Sequence, residues 1–202
     1  MEASESSPVW HHESIDRKEL WARTGTRGVT LWLTGLSGSG KSTIANAVAR
    51  KVFDAGHLVT VLDGDNLRFG LNSDLGFSDS DRAENVRRVG EVAAVIASLG
   101  TVVLAPVISP FRTGRAEARM AHERAGVVFY EIHIATPLSV CEERDTKGLY
   151  QKVRSGEMSG MTGVDAPYEE PLSPDLRIEA VGNIDDVVEK IINKFSSAWS
   201  VS

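Results

Sequence analysis

Five apolar runs punctuate the chain, each long enough for a strand and each followed by enough residues for a helix. They are 30–34 (TLWLT), 58–62 (LVTVL), 101–106 (TVVLAP), 127–134 (VVFYEIHI) and 176–180 (LRIEA). The run at 127–134 alternates too little to leave one face in water, and those at 30–34, 58–62 and 101–106 carry no charged residue, which is the pattern of strands covered on both sides. Between them the period changes. Ile44, Val48 and Val52 form one stripe of a helix that starts near Lys41 and closes at Gly56; Val86, Val89, Ala93 and Ile96 form another from about Asp81, where Asp81 and Glu84 have capping-box spacing. Further helices are expected over 115–125, from Pro137, and over 185–197, where Val187, Val188, Ile191, Ile192 and Phe195 recur. Strand alternating with helix predicts a parallel sheet with right-handed crossovers, an α/β three-layer αβα sandwich with about five strands. Before the first strand, a short helix capped by Ser14 and closed by the glycine of TGTRG is expected. Residues 1–12 are polar and aperiodic, reading as a tail, and His11 and His12 have no partner at metal-ligand spacing. The expected division is thus 1–28, tail and short helix, and 29–202, the α/β domain.

The first strand runs into GLSGSGKST, made of Gly35, Leu36, Ser37, Gly38, Ser39, Gly40, Lys41, Ser42 and Thr43. Gly35, Gly40, Lys41 and Ser42 complete the G-x-x-x-x-G-K-[ST] pattern in its required order of strand, loop and helix. The chemistry explains the residue types. Glycines and small serines let backbone N–H groups turn inward around phosphate oxygens at a helix N-terminus, Lys41 reaches the β- and γ-phosphates, and Ser42 can hold Mg²⁺. A dinucleotide fingerprint fits worse, because its third glycine would fall on Thr43. The fold expectation sharpens to a P-loop NTPase-type sandwich binding ATP with Mg²⁺.

Parallel sheets bind ligands at the carboxyl ends of their strands. The second strand ends in DGDNLR, so Asp63, Asp65 and Arg68 emerge beside the phosphate loop. Phosphoryl transfer needs a carboxylate to orient the acceptor hydroxyl and help organise Mg²⁺, and cations for an anionic acceptor; Asp63 and Asp65 answer the first need and Arg68 the second. The same string is also a good Asp/Gly/Asn turn. Phe77 lies in the following loop, Arg82 and Asn85 in the first turn of the next helix, and Arg87 and Arg88 on a solvated face. The third strand yields VISPFR, with Ser109 just past its end, while Arg115, Glu117, Arg119 and Glu123 read as solvated helix positions. His133 and Cys141 read as packed residues. Arg144, Lys147, Lys152 and Arg154 cluster in a glycine-interrupted stretch, about 145–171, that reads as a basic lid. DTKG at Asp145 matches a GTPase-like D-x-x-G, but it follows a helix and no N-K-x-D accompanies it.

Composition adds exclusions. A net charge of −6 argues against bulk binding of a nucleic acid polymer, and no apolar run approaches a membrane span. One cysteine permits no intramolecular disulfide, and MEASESSPVW lacks the regions of a signal peptide, so a soluble cytoplasmic protein is expected.

Taken together, WLTGLSGSGKSTIA, VLDGDNLRFGLNSDLGFS, DRAENVRRVGEVA, ISPFR, PLSVCEERDTKGLYQKVRSGE and TGVDAPYEEP resemble the adenylyl-sulfate kinase family, in the right order from residue 30 to about 175. The resemblance implies transfer of the γ-phosphoryl of MgATP to the 3′-hydroxyl of adenosine 5′-phosphosulfate, a homodimer, a place in sulfate assimilation, and functional coupling to ATP sulfurylase. Carried over by position, it implies a substrate site of Asp65, Asn66, Leu67, Arg68, Phe77, Arg82, Asn85, Ile108, Ser109, Lys147, Gly160, Met161 and Thr162. Catalytic roles fall to Lys41, to Asp63, which also assists Mg²⁺, and to Ser109, either as a substrate-loop contact or as a phosphoserine position. Members usually carry phenylalanine where this chain has Met161, which pairs there with the residue matching Phe77 around the adenine; looser packing of the base is expected here. Two rival readings fit less well: a P-loop kinase for a sugar, nucleoside monophosphate or antibiotic hydroxyl has no reason to contain DGDNLR and KGLYQK together, and intact Lys41, Ser42, Asp63 and Asp65 argue against a non-catalytic nucleotide-binding module.

Overall fold

A computed structural model describes residues 14–201. The expected tail at 1–12, with His11 and His12, lies outside the described residues. Five parallel strands form the central sheet in the order β2-β3-β1-β4-β5: β1 (Val29–Thr34), β2 (Val59–Val61), β3 (Val102–Pro106), β4 (Val128–Ile134) and β5 (Leu176–Ile178). All six residues of β1 are buried, because it lies at the centre with β3 and β4 on either side.

The two-residue period of β1 divides its side chains between the faces. Val29, Leu31 and Leu33 pack with Ile44, Val48 and Val52 of α2 (Lys41–Asp54) and with Val188, Ile191 and Phe195 of α8 (Ile184–Phe195). Trp32 turns to the other face, joining Val103, Ala105 and Phe129 under Val86, Val89 and Ala93 of α4 (Asp79–Ser98) and Ala118 of α5 (Arg112–Ala125). Each fully buried aliphatic side chain contributes roughly 1.5–3 kcal/mol. Thr30 is buried on this second face, where its hydroxyl meets His122 Nε2 at 2.8 Å.

The N-terminal helix α1 (Arg17–Thr24) is capped by Asp16, whose carboxylate accepts from the Lys18 amide; Ser14 lies too far upstream to reach the first turn. Gly25, with φ 65°, closes it as expected. Trp21 of α1 donates its indole N–H to Ser98 O, and the Thr26–Ser200 bridge sets the segment beside the C-terminus. α4 begins two residues before the expected Asp81: Ser78 is the cap and accepts from the Asp81 amide, so Asp81 is the third residue of the helix and not its entry. Arg87 and Arg88 are tied down instead of merely solvated. Both donate to Glu84, holding its carboxyl down at about 2, and Arg88 also grips Asp74 in the preceding loop.

Candidate active site

At the carboxyl edge of the sheet lies a cleft of about 960 Å³, lined by residues from the phosphate loop, the ends of β2 and β3, the start of α4 and the lid. Its floor is the turn after β1. Gly40, the residue before α2, has φ 99°, which a side chain would strain, and a methyl group on Gly35 would sit 2.4 Å from the Ile134 carbonyl oxygen. Thr136 Oγ donates to Ser39 O at 2.9 Å and fastens the loop to the end of β4. Lys41, at the first turn of α2, is buried; Nζ donates to Leu36 O at 2.7 Å and to Ser39 Oγ at 3.3 Å. Burial lowers its pKa from 10.5 to about 8.

The wall after β2 is a one-turn helix, α3 (Gly64–Leu67), that the sequence pattern did not separate from a loop. Asp63 caps it by accepting from the Asp65 amide through Oδ1 at 2.9 Å and lines the cleft with the phosphate loop. The turn reading of DGDN is thus met by a carboxylate that also lines the cleft. Asp65 meets Lys147 across the cleft, joining the strand end to the lid. Arg68 donates to Leu75 O and Gly76 O and lies 4.4 Å from the Phe77 ring centroid, so the guanidinium and the exposed ring form one rigid rim. Arg82 donates to Phe77 O at 2.8 Å and clasps Gly160 O and Thr162 of the lid. Asn85 is buried and accepts from Asn72 Nδ2 at 3.0 Å, so its own amide N–H groups are what a ligand would meet.

The stretch expected as a lid, about 145–171, follows α6 (Leu138–Arg144) and contains α7 (Leu149–Arg154) and the loop after it. Asp145 accepts from the Tyr150 and Gln151 amides at 3.1 and 3.0 Å, so the D-x-x-G match is a helix cap. Tyr150 OH donates to Ser37 O at 2.8 Å, bringing α7 onto the phosphate loop. The Gly160 and Met161 amides donate to Asp165, holding its carboxyl below the usual range and shaping the loop that carries Met161. Cys141 and Met161 are buried with Tyr150 in a small cluster of the lid's own. Cys141 is a packed residue, as expected, and so is His133.

Most of the residues singled out from the sequence line this cleft: Ser37, Gly38, Gly40, Lys41, Ser42 and Thr43; Asp63, Asp65, Asn66, Arg68, Phe77, Arg82 and Asn85; Ile108 and Ser109; Arg144, Lys147, Gly160, Met161 and Thr162. Six do not. Gly35, Leu36 and Ser39 shape the loop from behind, and Leu67 packs under α4. Lys152 is exposed on α7, and Arg154 pairs with Glu142 on α6. Of the four basic residues of this stretch, Arg144 and Lys147 turn inward, Arg144 donating to Ala180 O at 2.7 Å beside the loop.

One expectation is corrected outright. Arg115 is not solvated but 3% exposed, donating through all three of its nitrogens: to Glu131 Oε1 at 2.6 Å, Ser109 O at 2.7 Å and Glu169 O at 2.7 Å. Arg119 likewise bonds Asp175 at 3.0 Å. Trp32, Thr34, Asn72 and Tyr168 also support the site without having been singled out; only Thr34 carried a signal, as a polar residue ending an apolar strand at the phosphate loop.

Comparison with known proteins places the chain. The family model described as adenylylsulphate kinase matches residues 27–179. An adenylyl-sulfate kinase of Prochlorococcus marinus is 50% identical over 195 residues, 96% of either chain. The bifunctional enzyme CysN/CysC of Mycobacterium tuberculosis is 52% identical over 85% of this chain and 28% of its own length. The structure of the Mycobacterium tuberculosis APS kinase CysC in complex with AMPPNP and APS superimposes with a TM-score of 0.82 at 52% identity, covering 84% of this chain and 98% of that one. With its parallel five-stranded sheet and complete phosphate loop, the chain belongs to the adenylylsulphate kinase family.

Proposed function

We propose that the cleft transfers the γ-phosphoryl of ATP to the 3′-hydroxyl of adenosine 5′-phosphosulfate, giving 3′-phosphoadenosine 5′-phosphosulfate and ADP. The observation that carries this reading is one cleft lined together by a complete phosphate loop, Asp63 and the cations Arg68, Arg82 and Lys147. Lys41 and the loop amides bind the β- and γ-phosphates. Asp63 orients the acceptor hydroxyl and takes up its proton as the oxygen attacks in line, and the three cations meet the phosphosulfate. Arg82 and Lys147, which now grip lid and strand-end partners, exchange those partners for the ligand's anionic oxygens. The lid excludes water, so the γ-phosphoryl passes to the acceptor and not to solvent.

Hard oxygen donors suit Mg²⁺, which keeps several waters and takes only one or two protein ligands beside the phosphates. Ser42 and Asp63, both in the cleft, would hold it; when bound it neutralises charge developing on the β- and γ-oxygens. We further propose a homodimer, measurable as solution mass, and functional coupling to ATP sulfurylase, a reading supported by the related kinase region being part of a bifunctional enzyme in Mycobacterium tuberculosis. Among the described residues no helix is long and apolar enough to cross a membrane.

The reaction is tested by ADP release from MgATP with adenosine 5′-phosphosulfate, AMP, gluconate or no acceptor. Release with the phosphosulfate alone is expected. Equal or faster release with another acceptor would overturn the substrate, and no release with any acceptor, despite ATP binding, would favour a binding module.

Ser109 serves this reaction as a loop contact and not as a phosphoryl carrier. The residue is 1% exposed, and its hydroxyl accepts from Trp32 Nε1 at 3.0 Å and donates to Val107 O at 3.2 Å, so its proton and one of its two lone pairs are already engaged and attack on a phosphoryl group would have to disrupt both bonds. Ser109→Ala should keep turnover within about fivefold, the weight of one neutral hydrogen bond; a loss of several orders of magnitude would restore the phosphoserine. Met161→Phe should lower the KM for the phosphosulfate about threefold and leave that for ATP alone, since an aromatic face adds to stacking opposite Phe77. An unmoved KM would assign Met161 to the lid cluster only.

A further inference from the structure

Ser109 has φ 42°, a left-handed conformation that costs a residue with a side chain energy and persists only where its surroundings fix it. Here every polar contact of the residue is supplied from outside its own loop except one. Trp32 donates to Oγ, and Arg115 Nη1 donates to the carbonyl at 2.7 Å. The other two nitrogens of Arg115 are committed in fixed directions: Nε to Glu131 on β4 and Nη2 to Glu169 O. Glu169 belongs to the segment by which the chain leaves the lid, and that segment is laced to the same loop. The Glu169 amide donates to Pro110 O at 2.8 Å, the Arg112 amide donates to the Glu169 carboxylate at 2.8 Å, and Arg112 Nε donates to Glu170 O. One residue earlier, Tyr168 OH meets Thr34 Oγ at 3.0 Å, while Thr34 donates to Ile108 O at 2.7 Å.

From this we infer that Arg115 is a positioning residue for the acceptor: it locks the loop 108–110 in its strained form against the lid's exit segment 168–170, so that the lid closes over an acceptor wall already in place. The inference rests on the phosphosulfate-kinase reading for the identity of that acceptor. None of the three acceptors of Arg115 lies in the phosphate loop 35–43, so its effect falls on one substrate and not on the other. A planar guanidinium is required, because three acceptors in three fixed directions exceed what one ammonium at the end of a lysine can meet in that plane. Glu131 anchors the guanidinium to the sheet, and is itself held by its own amide bond to Asp175 at 2.7 Å.

The test is Arg115→Lys in the full chain, with steady-state constants for both substrates and the indole N–H resonance of Trp32 in protein labelled at tryptophan. The expected result is a rise of about tenfold in KM for adenosine 5′-phosphosulfate, KM for MgATP within about twofold, and a displaced Trp32 resonance with that of Trp199 unmoved. A KM for the phosphosulfate that stays put, or equal rises for both substrates with the Trp32 resonance unmoved, would overturn the inference. If the lysine variant does not fold, Glu131→Gln keeps an oxygen for Arg115 Nε but removes the charge that aligns it. A selective rise of about threefold is then expected, and no rise overturns the inference. Should the wild type not use the phosphosulfate at all, the functional reading fails, while the Trp32 resonance of Arg115→Lys still decides the positioning role.

Discussion

A Lys41→Met enzyme is expected to lose about three orders of magnitude in kcat, comparable to removing a preorganised cation or donor from a transferring group. Lys41 is the one ammonium at the base of the loop, buried and oriented by Leu36 O and Ser39 Oγ before any ligand arrives. Methionine fills nearly the same volume but has no charge to meet the β- and γ-oxygens. The substitution should also raise stability at neutral pH. In the folded protein the Lys41 pKa is about 8, against 10.5 for a free side chain, because burial penalises the charged form. The unfolded chain thus binds more protons between those two values, and stability rises with pH across that window. Below about 8 the whole penalty is present; by 10.5 it is gone. Nucleotide-free Lys41→Met should melt above the wild type at pH 7, with the gap closing as the pH approaches 10. A variant that melts lower at pH 7 would show that the lysine's hydrogen bonds outweigh its desolvation.

Asp63→Asn should lower kcat by about 10²–10⁴-fold, the range for loss of a positioned base, with both KM values little changed. Asparagine caps a helix as well as aspartate does, so the Oδ1 bond to the Asp65 amide and the start of α3 survive. What is removed is the charge that orients and deprotonates the hydroxyl, and one of the two carboxylate oxygens that could meet Mg²⁺. Single-turnover measurement of phosphoryl transfer isolates this step. Full activity in the asparagine variant would reduce Asp63 to a cap, and a collapsed fold would show that the charge itself holds the turn.

The parts of this architecture that the sequence disclosed are those set by local rules. Buried parallel strands must be apolar on both faces, and the loop after β1 needs glycine where backbone and carbonyl leave no room, as at Gly35 against Ile134. Asp63 and Asp65 were legible because a strand end places them. The parts that stayed hidden depend on partners distant in the chain. Arg115, Glu117, Arg119 and Glu123 form a polar helical set, and nothing local distinguishes Arg115; its burial follows from Glu131 on β4 and Glu169 beyond the lid. Lys152 and Arg154 share the lid's basic composition with Arg144, yet the direction of α7 sends them to solvent and to Glu142, and Arg144 alone of the three faces the loop. Asn72 was indistinguishable from any loop asparagine until its bond fixed which end of Asn85 meets the cleft.

The most direct test of the account identifies the product. The protein is incubated with MgATP and adenosine 5′-phosphosulfate, and the nucleotide formed is examined by mass and by phosphorus NMR. A single new phosphomonoester on the ribose 3′-oxygen, formed in equal amount to ADP and absent with Asp63→Asn, is the predicted result. ADP released without a phosphorylated acceptor, or a phosphate carried on any other oxygen, would contradict it.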